Sequence, residues 1–173
     1  MAADAPGTQD AQDLAEIFGM PGHLLRRCQQ IAVAIFMQDC ADFDLTPLQF
    51  ILLVTLEEGG PQDQATISGR AALDRTTTAG VIKNLEDRGL ATRTVSPEDR
   101  RAKIVEITQA GRDVVTAVRP RVAQVQNRLL APLTAKEQDQ LVRLLTKVAD
   151  GNNTLSRAPL FDRGAAQRKR KTG

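Results

Sequence analysis

Leu24, Cys28, Ile31 and Ile35 recur at spacings of four, three and four, with Leu25, Ala32 and Phe36 beside them. That period predicts a helix, and Pro21 is placed to open it. Its first half is polar on the opposite face (Arg26, Arg27, Gln29, Gln30). Its second half is apolar nearly all round, which predicts burial on most sides. Thr46-Pro47 is a helix start, an N-cap followed by proline at the first helical position. Leu48 to Leu56 fill that helix, and Gly59-Gly60-Pro61 end it. A short helix is expected around Gln64 to Ala72. Asp74 then caps a helix running to Arg88, with Gly89 as its stop.

Leu90 to Val95 reads as a strand, Ser96 to Arg101 as a polar turn, and Ala102 to Ile107 as the returning strand, because Lys103, Val105 and Ile107 alternate with Ile104 and Glu106. Thr108 caps the next helix, in which Val115, Val118, Val122, Val125 and Leu129 form a seam suited to helix pairing. Pro120 lies inside it and is expected to bend or interrupt it. Thr134 to Glu137 forms a capping box before a last helix that carries Leu141, Leu144, Leu145 and Val148 and stops at Gly151. The fold predicted is mainly α with a small β-hairpin wing. Residues 1–19 are expected to be flexible, 20–150 to form one domain, and 151–173 to be a disordered basic tail.

The order of short helix, tight turn, second helix and hairpin is that of a winged helix-turn-helix, whose second helix enters a major groove N-terminus first. The residues there are Arg75, Thr76, Thr77 and Thr78. Arginine can bind guanine bidentately, and threonine can reach bases or phosphates. The free N–H groups of that turn attract phosphate. Lys83 lies on a face that can meet the DNA backbone. Arg100 and Arg101, at the hairpin tip, are placed to reach an adjacent minor groove, where arginine is favoured.

Charge adds little by itself. The net formal charge is +2, but the residues from Arg157 onward hold six basic side chains and one acid, and the rest of the chain is net acidic. Residues 74–103 carry seven basic and five acidic side chains, a mildly positive balance. No apolar run is long enough to span a membrane; the longest, Ile31 to Met37, has seven residues. The acidic N-terminus lacks the basic-then-apolar order of a signal peptide, so a cytoplasmic protein is expected. A single histidine, two cysteines twelve residues apart, no metal-ligand spacing and no glycine-rich phosphate loop argue against an enzyme, a metal site or a cofactor. On one intact helix Cys28 and Cys40 would stand roughly 18 Å apart, too far for a disulfide.

Asp74-Arg75-Thr76-Thr77-Thr78, followed by Val81, Leu85, Glu86, Gly89 and Leu90, resembles the recognition helix of MarR-type regulators. Asp99-Arg100-Arg101 through Ile107-Thr108 resembles that family's wing signature, with Ile107 where leucine is usual. The resemblance covers about Pro21 to Ala149. It implies a homodimer built from the first helix (21–43) and the last two (109–150), with residues 46–108 as the DNA-binding lobe and a pseudo-palindromic operator as partner. It places Arg75 to Thr78 at the bases or nearby phosphates and an arginine of the wing in the minor groove, braced by an Asp99–Arg101 ion pair. Pro21 to Arg27 and Asp44 to Phe50 resemble the branch that controls catabolism of aromatic and heteroaromatic acids. His23, Arg26 and Arg27 can then hold a carboxylate, with Phe43 and Phe50 as an apolar wall. A hydroxynicotinate or hydroxybenzoate is the first expectation for the effector and a CoA thioester the second. Two other readings fit the sequence: a redox-sensing repressor using Cys28, although the chain has no tyrosine to assist a thiolate, and a winged-helix protein-interaction module that never touches DNA.

Overall fold

A computed structural model of the protein describes residues 16–95 and 103–161. Residues 16–19 form a short helical turn where a flexible segment was expected, and α1 follows from Pro21 to Asp39. A 3-10 turn, Ala41–Phe43, ends in Asp44, which takes the left-handed conformation at φ 48°. The first helix is thus shorter than the 21–43 span predicted. Helix α2 (Pro47–Gly59) begins with a capping box. The Gln49 N–H donates to the Thr46 hydroxyl, and the Thr46 N–H donates to the Gln49 side chain.

Helices α3 (Gln64–Ala71) and α4 (Arg75–Asp87) are joined by a tight turn in which Ala72 is left-handed at φ 52°. Each has an aspartate cap: Asp63 accepts from the N–H groups of Ala65 and Thr66, and Asp74 from that of Thr77. The end of α4 is set by Gly89 at φ 69°. Gly89 N–H donates to the Glu86 carbonyl and Leu90 N–H to that of Leu85, the pair of bonds that closes a helix at a glycine.

The wing is part of a three-stranded antiparallel sheet rather than a two-stranded hairpin. Strands β1 (Gln62–Asp63), β2 (Ala91–Val95) and β3 (Lys103–Ile107) lie in the order β1-β3-β2. Ala91 faces Ile107 and Val95 faces Lys103, while Gln62 faces Val105. The two residues of β1 carry no period that a sequence can reveal; they pair because α2 delivers them beside β3. The hairpin tip lies outside the described residues.

Helix α5 (Gln109–Leu130) starts at Thr108, whose hydroxyl accepts from Gly111 N–H and donates to the Gly89 carbonyl. Pro120 does not interrupt it. Proline there removes the bond to the Thr116 carbonyl, but both residues are exposed, so solvent can satisfy that carbonyl. Helix α6 (Ala135–Gly151) begins where the Thr134 N–H and hydroxyl donate to Glu137.

The core lies between α2, α4, the sheet and the seam of α5. Leu52, Leu53, Leu56, Ile67, Ile82, Leu85, Val115 and Val118 are fully enclosed, each contributing about 1.5–3 kcal/mol by leaving water. Arg128 joins α5 to α1 through Asp39 at 2.6 Å, and Arg119 joins it to α2 through Glu57 at 2.5 Å. The second half of α1 is not buried on most sides. Phe36 is enclosed, but Ile31 and Met37 are nearly half exposed, because among the described residues the helix packs chiefly against α5 and only slightly against α2 and the 3-10 turn. Among the described residues helix α6 packs chiefly against the short turn that follows it, and Val142, Leu144, Leu145 and Val148 are open.

The segment after Gly151 corrects the expectation of a disordered tail as far as Phe161. A 3-10 turn (Asn153–Leu155) leads into a loop closed by Asn153, whose side chain exchanges two hydrogen bonds with the backbone of Leu160. Polar side chains, Asn153 and Ser156, hold this loop, and no hydrophobic period announces it. Residues 162–173 lie outside the described residues.

Candidate nucleic-acid interface

The interface is built on α3 and α4. Asp63 stands at the first N-terminus and Asp74 at the second, and both carboxyls are held below the usual carboxylate range. For Asp63 the chief cause is the Thr66 N–H; for Asp74 it is the Thr77 hydroxyl, joined by the Thr77 N–H. Gln64 spans the two starts by donating to the Arg75 carbonyl at 3.1 Å. The helices are bolted together deeper down by two hydroxyls. Ser68 donates to Thr78 Oγ1 at 3.0 Å, and Thr78 donates to the Asp74 carbonyl at 2.8 Å.

This bolt corrects one sequence expectation. Thr78 is fully enclosed, so it fixes α4 against α3 and has no surface left for DNA. Thr77 is half-buried and its hydroxyl is engaged with Asp74 at 2.6 Å. Arg75, Thr76 and Lys83 are exposed. Thr76, Gly80 and Lys83 follow one another at four and three residues, so they share a face of the helix. A methyl group built on Gly80 would meet nothing within 4 Å, which leaves that face smooth and open. Gly80 was not singled out from the sequence, where an isolated glycine in a helix reads only as a weakness.

The wing root is tied to the same helix. Arg93 on β2 pairs with Glu86 on α4 at 2.8 Å, both partly buried. Alternation along β2 does not reveal this pair. Asp99, Arg100 and Arg101 lie outside the described residues.

At the other end of α4, Arg88 donates to the carbonyls of Asp44 and Phe43, and Gln49 on α2 donates to Asn84 at 2.6 Å. The recognition-helix candidate is therefore held at its start by α3 and in its last turn by α2, β2 and the turn leading from α1.

The effector residues expected from the sequence fall into two groups. His23 is half-buried against Phe18, with ring centroids 5.0 Å apart, and Arg26 and Arg27 are exposed within one turn of it. Arg26 donates to Gln30 at 2.9 Å. Phe43 and Phe50 lie at the far end of α1, where Phe50 packs on Phe36 at 6.2 Å. Thirteen residues of helix, roughly 20 Å, separate His23 from Phe36, so one chain does not bring the two groups together. Cys28 is exposed; Cys40 is buried, and burial pushes its thiol pKa up, which disfavours a reactive thiolate. Among the described residues no group of histidine, cysteine and carboxylate side chains could hold a metal ion, and no helix is long and apolar enough to cross a membrane.

Residues 45–103, the stretch holding α2 to the start of β3, match the model of the MarR family. Over 131 residues the chain is 36% identical to the HTH-type transcriptional repressor NicR of Pseudomonas putida, covering 76% of this chain and 83% of that protein. The chain belongs to the MarR family. It is a winged-helix transcriptional regulator. Two solved MarR-type structures agree. One is Bordetella bronchiseptica BpsR, whose DNA binding is regulated by 6-hydroxynicotinic acid. It superposes with a TM-score of 0.73 at 35% identity, over 77% of this chain and 95% of that one. The other is the transcriptional repressor CouR bound to a 23-mer DNA duplex. Its TM-score is 0.72 at 31% identity, over 78% of this chain and 95% of that one.

Proposed function

We propose that this MarR-family protein is a homodimeric cytosolic repressor that binds a pseudo-palindromic operator and leaves it when a small aromatic or heteroaromatic carboxylate binds. The observation that carries the DNA reading is the open face of Arg75, Thr76, Gly80 and Lys83, mounted on a helix whose start is held by the Ser68–Thr78 bolt. Arg75 and Thr76 would meet bases or the nearest phosphates, Lys83 the backbone, and Arg100 or Arg101 the minor groove. Thr77 serves chiefly to hold Asp74, and in doing so keeps an acid at the DNA end of the helix engaged.

Dimerisation is supported by the two uncovered apolar faces. Leu24, Leu25 and Ile31 on α1 and Val142, Leu144, Leu145 and Val148 on α6 are too many large side chains to leave in water. A two-fold dimer would set two copies of α4 about 34–36 Å apart, one helical turn of DNA.

The effector reading rests on the chemistry of the residues and on the relatives. BpsR responds to 6-hydroxynicotinic acid, and that ligand class has what His23, Arg26 and Arg27 can hold, a carboxylate, and what Phe43 and Phe50 can cover, a flat ring. Because the two groups are far apart on one α1, the pocket is complete only if the start of one α1 meets the end of another. The ligand then acts by preferring one spacing of the lobes.

The test is a gel shift with the promoter DNA beside the gene and a panel of hydroxynicotinates, hydroxybenzoates and their CoA thioesters. Binding abolished by one free acid is the expected result. Binding disturbed by none of the free acids would overturn the effector assignment and leave the repressor reading standing. Absence of any salt-sensitive binding would overturn both.

A further inference from the structure

Helix α4 carries a glycine in its middle. Gly80 is the sixth of the thirteen residues from Arg75 to Asp87. Glycine weakens a helix interior more than any residue except proline, because it surrenders the most backbone freedom on folding. Two causes within a fold make it useful all the same: a left-handed backbone, or a neighbour that leaves no room for a side chain. Gly80 has neither. Among the described residues the left-handed glycines are Gly60 and Gly89. A methyl group built on Gly69 would overlap the Phe161 ring, and one on Gly111 the Leu90 carbonyl, but one on Gly80 meets nothing within 4 Å. The cause of this glycine therefore lies outside the chain.

Gly80 points away from the core. Thr78, Ile82 and Leu85 are enclosed, and at roughly 100° per residue Gly80 lies about half a turn round the helix from them. Its companions on the outer face, Thr76 and Lys83, are exposed. The helix cannot easily tilt, because Ser68 holds Thr78 at one end while Gln49 and Arg93 hold Asn84 and Glu86 at the other. Whatever α4 meets on this side meets bare backbone at Gly80, between a threonine and a lysine.

We propose that Gly80 is the point at which the recognition helix comes closest to the base edges of the major groove, and that its missing side chain sets specificity by letting the helix seat at full depth. The proposal rests on the reading of this outer face as the DNA-contacting surface. The dimensions support it. The groove is about 12 Å wide and a helix with its side chains about 10–12 Å across, so one side chain on the inserted face decides how deep the helix goes. Thr76 and Arg75, one turn toward the N-terminus, reach bases only at that depth. Non-specific binding rests on phosphates and does not need it.

The experiment compares the full chain with G80A, G80L and K83A. Melting temperature is measured, and affinity is followed against salt on the promoter fragment beside the gene and on an unrelated duplex of equal length. Alanine and leucine both favour a helix, and the space at Gly80 is open in the free protein, so G80A and G80L are expected to melt higher. Promoter affinity is expected to fall about tenfold in G80A and about a hundredfold in G80L, the scale of one and of two mismatched base pairs. Affinity for the unrelated duplex and the salt slope on both should stay as they were, since no phosphate contact is lost. K83A should instead lower the slope by about 0.9 for each phosphate released and weaken both duplexes alike. Full-strength promoter binding by G80A and G80L would overturn the proposal, and so would an equal loss on both duplexes or a lower melting temperature in G80A. In each of those cases salt-sensitive binding by the unaltered chain keeps the underlying DNA reading, whereas its failure to bind either duplex removes both.

Discussion

Arg88, capping the end of α4, donates to the Asp44 carbonyl at 2.5 Å and stands 3.6 Å from its carboxylate, across 44 residues of chain. Asp44 is left-handed at φ 48°, a conformation that aspartate tolerates and β-branched residues do not. The turn out of α1 and the end of the recognition helix thus share one clamp. Asp44→Val is expected to cost about 1–2 kcal/mol in urea unfolding, and Asp44→Gly less than about 1 kcal/mol, since glycine relieves the backbone as the ion pair is lost. Arg88→Ala should blunt the response to effector more than it lowers DNA affinity, read by gel shift across an effector titration.

Neighbouring threonines should behave oppositely. Thr76 is exposed and Thr78 enclosed in the bolt with Ser68. Thr76→Ala should weaken promoter binding by about 1 kcal/mol, the scale of a lost base or phosphate contact, with unchanged melting. Thr78→Val should leave the Ser68 hydroxyl short of its acceptor and cost about 1–3 kcal/mol of stability. DNA binding of that variant should recover where the protein remains folded.

The open apolar face of α6 predicts a monomerising substitution that does not unfold the chain. Leu144→Glu with Val148→Glu changes two exposed positions, 47% and 53% open. Sedimentation should report the loss of the dimer, and promoter affinity should fall by at least about a hundredfold because only one half-site is then engaged. A dimer that survives both changes would place the contact elsewhere.

Acid should loosen the DNA-binding pair first. Asp63 and Asp74 both titrate below their ordinary values in the fold, through bonds to Thr66 and Thr77. Their stabilisation is complete above the unfolded value near about pH 4 and is lost as pH falls through the lower folded values. Hydrogen exchange in α3 and α4 should therefore rise below about pH 4 ahead of α5. Asp63→Asn, which still accepts a hydrogen bond, should flatten that pH dependence.

The helices were legible because their ends carry chemistry. Thr46-Pro47, Asp74 and Thr108 cap where the sequence says, and Gly89 stops α4 as expected. What was hidden depends on partners distant in the chain. Strand β1 exists only because β3 lies beside it, some forty residues later. The direction of Thr78 is set by Ser68, and the Thr triplet alone cannot say which member turns inward. Pro120 was expected to bend or interrupt its helix, which in fact runs through it without a break. Gly111 is enclosed against the Leu90 carbonyl, a close approach that its place in a polar helical turn conceals. Gly111→Ala should cost about 1–3 kcal/mol by overpacking, measured by thermal melting.

The ties among Gln64 and Arg75, Ser68 and Thr78, and Glu86 and Arg93 make the reading head internally stiff. A signal arriving along α1 has little to deform inside that unit and can alter only where the unit stands. In the proposed dimer the controlled variable would be a distance between two intact heads, like the span of a pair of callipers. A liganded dimer would keep its preference for a single half-site while losing the paired operator. Moving the two half-sites apart or together by one base pair in synthetic DNA would restore part of what the ligand removes.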